Sequence, residues 1–537
     1  MLDINNTPKF NTYRHPSFNG TFEAATQALQ FINESPAIGA TLVDVGSMAL
    51  PRTIVDSKRG VNAGIETGIR ETSGSVNHAM IGTYGLIGAL LAANAINSKY
   101  GINARNVRAD MPSVRLYSDM WLDYINKGAK NISDEKALRA GFIGNVVENI
   151  IGLDNNAFGS DYWKKLPNEA VEDAKRIITK SLEDNNGSYK ISKEAKKQLS
   201  TLLAGNLGTE QHIKIKFFDK ELPTTIDAML NDTYALSKTF CQEKVKPLYV
   251  ENNKNGIEQF LKTFGKYKGI STAIGLGLGC AIGASVQPLN RYLTKRRTGN
   301  DGFVGVEEHT KKPETNKLFK FYKGLAVGAM GLITYSSLGR KPSAFIKRIQ
   351  FKGLMPTIDQ FRLIYGVTIM SRFMAARDTN ELRESTFKDI LGFTNWLVLG
   401  GFVSKLVAKK LNPDLVSIPS KAPKNASWLY KITNSTLKTQ NEVLLTEAKK
   451  AKVALFKDGK ARSFKEILKD TVKKSPAVKA KIRGLNVAQL AGFIYSGVVL
   501  GWAIPKINIL VTKKINEDVK KPKSIQELHA ERLKIHQ

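Results

Sequence analysis

The chain has 537 residues, room for two or three domains, and sets 80 Lys and Arg against 48 Asp and Glu, a net charge of +32 at pH 7. An excess of that size calls for a polyanionic partner, either nucleic acid or the anionic face of a bilayer. Lys and Arg flank every apolar segment and do not gather in one tail, which fits a membrane surface better than a single DNA-reading helix. The two cysteines, Cys241 and Cys280, offer neither a disulfide framework nor a zinc site. A mean hydropathy of −0.23 requires large water-exposed parts beside any membrane segments.

Residues 1–79 read as a partly disordered N-terminal segment, rich in Asn, Pro and Thr at its start, with one helix expected over Thr21–Asn33 and no signal peptide. An apolar helix is expected over 80–97, where Gly85, Gly88, Ala89 and Ala92 suit close packing. Residues 98–268 read as a soluble helical region. There Asn168 is placed to cap Glu169–Glu183, Ser192 to cap Lys193–Ala204, and Thr225–Lys238 is amphipathic. The best alternating strand pattern is His212–Phe218.

From residue 269 the character changes. Residues 269–407 read as an apolar helical bundle, with segments at Gly269–Val286, Phe321–Leu338, Phe361–Ala376 and Ile390–Val407. Gly275, Gly279 and Gly283 fall at i, i+4 and i+8, the small-xxx-small spacing that lets another backbone lie against a helix face. Gly324 with Gly328 and Gly497 with Gly501 repeat that spacing, so all seven glycines are expected at helix-packing faces. Residues 408–486 form a basic amphipathic region, and 487–537 hold a last apolar helix, Val487–Ile504, and a basic tail. The fold expected is mainly α: a soluble helical region followed by a bundle of glycine-rich, membrane-embedded helices.

Two features oppose a simple multi-span arrangement. Most apolar segments are shorter than the roughly 20 residues of a comfortable span, and every connection between them is basic, which no threading reconciles with the positive-inside rule. Phe361–Ala376 contains Arg362 and Arg372, which predicts a helix lying in the interface with both guanidiniums turned outward. The charged run from Arg377 to Lys388 pairs Arg377 with Glu381 and Glu384 with Lys388 at i,i+4, as expected of a helix on a water face.

No motif carries chemistry. The glycines of GLGLG miss the dinucleotide spacing, with Cys280 and Ile282 in the third glycine position. Asp184–Ile191 begins like a calcium loop but has Tyr189 at the turn and Ala195 where the closing Glu belongs, and the Asp154–Gly159 loop ends on Lys165. Of the histidines (His15, His78, His212, His309, His529 and His536), only His78 is notable, two helical turns after Glu71 and just before an apolar run. It reads as a histidine at a helix mouth, with a proton or substrate path as the functional alternative. A four-residue echo, Ile69-Arg70-Glu71-Thr72 and Leu382-Arg383-Glu384-Ser385, is too short to argue from. The expected function is therefore non-catalytic, without cofactor or metal: a membrane-embedded structural or scaffold protein holding anionic lipid and copies of itself. A multi-helix transporter or channel is the alternative, and a soluble basic protein binding nucleic acid the second alternative.

Overall fold

Two separate apolar cores organise the chain, and the sequence order crosses between them more than once. The computed structural model describes residues 18–34, 39, 41–153, 163–304, 313–338, 342–353, 356–398, 401–417, 427 and 435–520. His15, His309, His529, His536, the Asp154–Gly159 loop, Trp428, Leu429 and Tyr430 lie outside the described residues.

Helix α1 (Phe18–Glu34) packs on later parts of the chain through Thr26, whose hydroxyl accepts from Asn486 at 2.9 Å. A π-helical stretch, Val43–Ala49, leads into α2 (Leu50–Ser57). Gly60, at φ +141°, turns the chain into α3 (Val61–Ala79). This helical hairpin lies where the sequence suggests a partly disordered segment. Its amphipathic signal is masked because its inward face is polar: Arg52, Glu66, Arg70, Glu71, Asn77 and His78 are all buried. The apolar helix that follows, α4 (Ile81–Ala92), is shorter than expected and continues into α5 (Asn94–Tyr100).

The first core belongs to a domain of α6 (Met111–Asn126), α7 (Glu135–Glu148), α8 (Asn168–Asp184), α9 (Lys193–Leu207), α10 (Ile226–Phe240) and the short α11 (Lys246–Val250). Side-chain caps start these helices where the sequence supplies them: Asp110, Asp134, Ser192 and Thr225 each accept a backbone N–H of the first turn. Asn168 is not the expected cap; it is already helical, and Pro167 precedes it. An antiparallel sheet in the order β2-β1-β3-β4 joins this domain: β1 (Ile150–Leu153), β2 (Trp163–Lys165), β3 (Ile213–Phe217) and β4 (Lys220–Thr224). Strand β3 is the alternating pattern expected at 212–218, and its Ile213 and Ile215 point into the core.

Helix α12 (Lys254–Thr298) is a single 45-residue rod, about 68 Å long at 1.5 Å per residue. Its first turns bury Ile257, Phe260, Leu261, Phe264 and Tyr267 in the first core, and beyond Lys268 it runs through the second. Pro288 cannot donate to the carbonyl of Ala284, and the hydroxyl of Ser371 takes that place at 2.5 Å.

The second core gathers α13 (Lys317–Leu338), α15 (Ile358–Ala375) and α16 (Thr379–Phe393) around α3, α4 and α12; the short α14 (Pro342–Ile349) precedes α15. Helix α15 is central, with Phe361, Ile364, Tyr365, Ile369 and Phe373 buried. The expected interfacial helix with outward guanidiniums is therefore overturned. Arg372 is 3% exposed and turns inward, and Arg362 is tied to Asp359 and the Leu397 carbonyl. Burial wins because carboxylates and carbonyls wait inside.

After α16 the chain passes through π-helical Thr394–Val398 into α17 (Phe402–Leu411), then returns to the first domain. Two small ribbons, β5 (Val416–Ser417) with β6 (Thr436–Leu437) and β7 (Phe456–Lys457) with β8 (Lys460–Ala461), accompany α18 (Gln440–Lys450) and α19 (Phe464–Lys474). Val443, Leu444, Val453, Ile467 and Leu468 join the first core. These apolar residues of the 408–486 region are thus covered by protein. Helix α20 (Ala477–Tyr495), the π-helical Ser496–Ala503 and α21 (Ile504–Lys520) run on as one continuous helical path.

Two helices are long and apolar enough to cross a membrane, Lys254–Thr298 and Ala477–Ile515, and only 39% and 28% of their most apolar windows are buried in protein.

Candidate functional site

Four helices, α2, α3, α15 and α16, bring their charged residues to one place inside the second half of the molecule. Arg52 of α2 donates to Glu71 of α3 at 3.3 Å. Arg372 of α15 lies 3.3 Å from Asp389 of α16 and 3.6 Å from Glu71. Lys388 and Arg70 also turn to Glu71, at 3.4 and 3.2 Å. Arg377 bonds Glu381 at 2.9 Å and reaches Glu66 across the bundle. Arg59 holds Glu384 with both terminal nitrogens at 2.8 Å, and Asp56 stands 3.6 Å away.

The run Arg377–Lys388 is therefore no solvated face: Arg377 is 1% and Glu381 3% exposed. The expected Arg377–Glu381 pair forms, but inside. Its other partners lie hundreds of residues away in sequence, so local spacing gives no sign of them. Each cation here faces a carboxylate, the condition under which buried charge is tolerated.

The cluster surrounds a cavity of about 30 Å³ bordered by Arg59, Glu66, Arg70, Glu384 and Lys388. That is room for water but not for an organic substrate. Deeper in, His78 is no helix-mouth residue: it is 1% exposed, and its Nδ1 lies 2.9 Å from Asp44 of the π-helical stretch. Its Nε2 is buried with no partner among the described residues, as is the hydroxyl of Tyr365, whose ring meets the imidazole edge-on at 4.8 Å. The pair orients one ring nitrogen and leaves the other as a polar atom unpartnered among the described residues, near the Tyr365 ring.

The seven glycines separate into distinct settings. A Cβ on Gly275 would sit 2.8 Å from the Tyr84 carbonyl, one on Gly279 2.6 Å from Ile364, and one on Gly283 against Thr368 and 3.1 Å from Asn77. These three line the contact of α12 with α4 and α15. Gly501 is equally tight, against the Ser47 carbonyl and 3.0 Å from Pro51. Gly497 has only Ser47, at 3.9 Å, and Gly324 and Gly328 have no described atom within 4 Å. Helix α13 instead meets α15 through Gly366, which the sequence did not single out and where a Cβ would press on Thr334.

In the first domain the Asp184–Ile191 loop is held by Arg139, fully buried, which donates to the carbonyls of Gly187, Ser188 and Tyr234. The carbonyl at the seventh loop position, Lys190, accepts from the Asn185 side chain. Among the described residues no group of three or more His, Cys, Asp and Glu is placed to hold a metal. Burial, reinforced by Asp110, pushes the Asp232 carboxyl up to about 8. Comparison with protein-family models, curated protein sequences and solved structures gives no significant match.

Proposed function

We propose that this chain is a membrane-embedded, non-catalytic structural protein that carries a helical domain at the bilayer surface. The observation that supports this most is that the helices around the second core expose large apolar side chains while charged ones are buried among them. Leu91, Ile270, Leu332, Ile494 and Leu510 are between 54% and 69% exposed, while Arg52 and Asp389 at the centre are 1% and 0%. Water favours the reverse; hydrocarbon favours this. The close glycine contacts of α12 suit helices packed without a hydrophobic drive. On this reading the partners are the bilayer, with anionic headgroups at Lys295, Arg296 and Arg297, and further copies of the chain. The test is alkaline carbonate extraction of membranes from expressing cells. Retention in the pellet with solubility only in detergent is expected, and full release by carbonate overturns the proposal.

A transporter or channel is the second reading, favoured by the water-sized cavity among buried charges. It predicts proton flux into vesicles reconstituted with the protein and loaded with a pH-sensitive dye. Flux no greater than in protein-free vesicles removes it.

A further inference from the structure

The two halves of the ionic core repeat one another. Aligned at one constant separation, Arg59, Asn62, Glu66, Gly74 and Asn77 meet Arg377, Asn380, Glu384, Gly392 and Asn395, and Thr67, Arg70 and Glu71 meet Ser385, Lys388 and Asp389. The echo of Arg70-Glu71 with Arg383-Glu384 is a shifted register of this longer match.

Equivalent residues occupy equivalent places. Arg59 follows α2 and Arg377 follows α15, each in the turn between two helices. Arg59 crosses to Glu384, and Arg377 crosses to Glu66, so each hairpin reaches for the same acid in the other. Phe303 lies between them, its ring 5.4 Å from one guanidinium and 5.7 Å from the other. Arg52 bonds Glu71 in its own hairpin and passes Gly392 of the other, where a Cβ would stand 3.2 Å from its Nη2. Arg372, two positions out of register with Arg52, bonds Asp389 in its own hairpin and passes Gly74 of the other, where the distance would be 3.4 Å. The two glycines serve one purpose, to let the opposing arginine lie flat. Asn77 and Asn395 each accept a tyrosine hydroxyl at 2.9 Å, from Tyr84 and Tyr495. The cavity is bordered by Glu66, Thr67 and Arg70 on one side and by their counterparts Glu384, Ser385 and Lys388 on the other. Symmetry breaks at Glu71, which draws both Arg70 and Lys388.

We infer that α2–α3 and α15–α16 are two copies of one helical hairpin, which recognise each other through reciprocal ion pairs about a pseudo-twofold axis near Phe303 and share the polar cavity between them. The inference goes beyond the scaffold proposal and does not rest on the bilayer. Internal repeats of this kind are common in transporters, with the site at the repeat interface, so the shared cavity is where a second function would be sought.

The test exchanges residues between the copies in the full chain. Arg70→Lys with Glu71→Asp alters one copy, and Lys388→Arg with Asp389→Glu the other. If the sites are equivalent, each half-exchange lowers Tm while the fourfold exchange returns it to within about 3 °C of the parent. A fourfold variant that loses the sum of both halves, or more, overturns the equivalence. Should those variants not fold, the reciprocal pairs between the hairpins are used, read as the monodisperse peak in detergent size exclusion. Arg59→Glu is rescued by Glu384→Arg, and Arg377→Glu by Glu66→Arg, whereas Arg59→Glu with Glu66→Arg is not. Rescue by the mismatched partner, or none by the matched one, refutes reciprocal recognition.

Discussion

Gly275 and Gly277 stand one residue apart on α12 in opposite surroundings, so one substitution made at both should have opposite signs. A methyl group at Gly275 would meet the Tyr84 carbonyl and Phe351 at 2.8 Å and the Gly85 Cα at 3.1 Å. The carbonyl belongs to a helix and cannot swing away, and Phe351 is anchored by Lys268 Nζ on its own carbonyl at 3.2 Å. Overpacking of this kind costs about 1–3 kcal/mol, against which Ala over Gly in a helix recovers about 1 kcal/mol. At Gly277 nothing lies within 4 Å, so only the helical gain remains. Gly275→Ala is therefore expected to destabilise by up to roughly 2 kcal/mol and Gly277→Ala to stabilise by up to about 1 kcal/mol. The difference corresponds to about 1–3 °C in Tm, because the shift per kcal/mol shrinks with length to about 1 °C for a cooperative unit of this size. Tryptophan fluorescence during heating of the detergent-purified protein reads it. Equal Tm values for the two variants would refute the close α12–α4 approach.

Asp232 should make the first domain lose stability as pH rises. An unfolded Asp releases its proton near about 3.9, while the native carboxyl, raised by burial, holds it to about 8. Between those values the unfolded state binds fewer protons, so stability falls with rising pH and levels off above the native value, by up to about 5 kcal/mol. Asp232→Asn should flatten Tm against pH from 5 to 9, and an unchanged slope would place the dependence elsewhere. Ile467→Ala, at a side chain 2% exposed in the first core, should cost about 2–5 kcal/mol and leave binding to anionic vesicles unchanged. Normal Tm with weakened vesicle binding would instead turn that face to lipid.

Period and capping made much of the helical skeleton legible, including α9 from Ser192 and β3 from its alternation, and the mainly α class stands. The 408–486 region shows why partners are harder to read than faces. Ile467 and Leu468 are correctly apolar-facing, but a basic amphipathic helix has the same pattern whether a bilayer or a protein core covers it. The ionic core was illegible for a different reason. Spacing rules see i,i+4 neighbours, whereas Arg59 finds Glu384 and Arg377 finds Glu66 only through the fold. A helix such as α3, whose buried face is charged, loses the hydrophobic period by which helices are found. The repeat was faintly visible as two Arg-Glu pairs, but the true register spreads its identities singly between 59 and 77 and matches Arg70-Glu71 with Lys388-Asp389, so it offers no contiguous run.

Helix α12 joins the two cores as a mechanical element. It is anchored at one end by Phe260 and Phe264 and gripped at the other by the residues facing Gly279 and Gly283, and its one proline is braced by Ser371. A rod about 68 Å long that tilts by about 10° around its centre carries each end by roughly 6 Å, more than the thickness of a side-chain layer. The two cores cannot shift independently without shearing one of these contacts. A tilt of the first domain against the second core would therefore be resisted where Gly283 meets Thr368 and Asn77, on two of the helices that carry the ionic core.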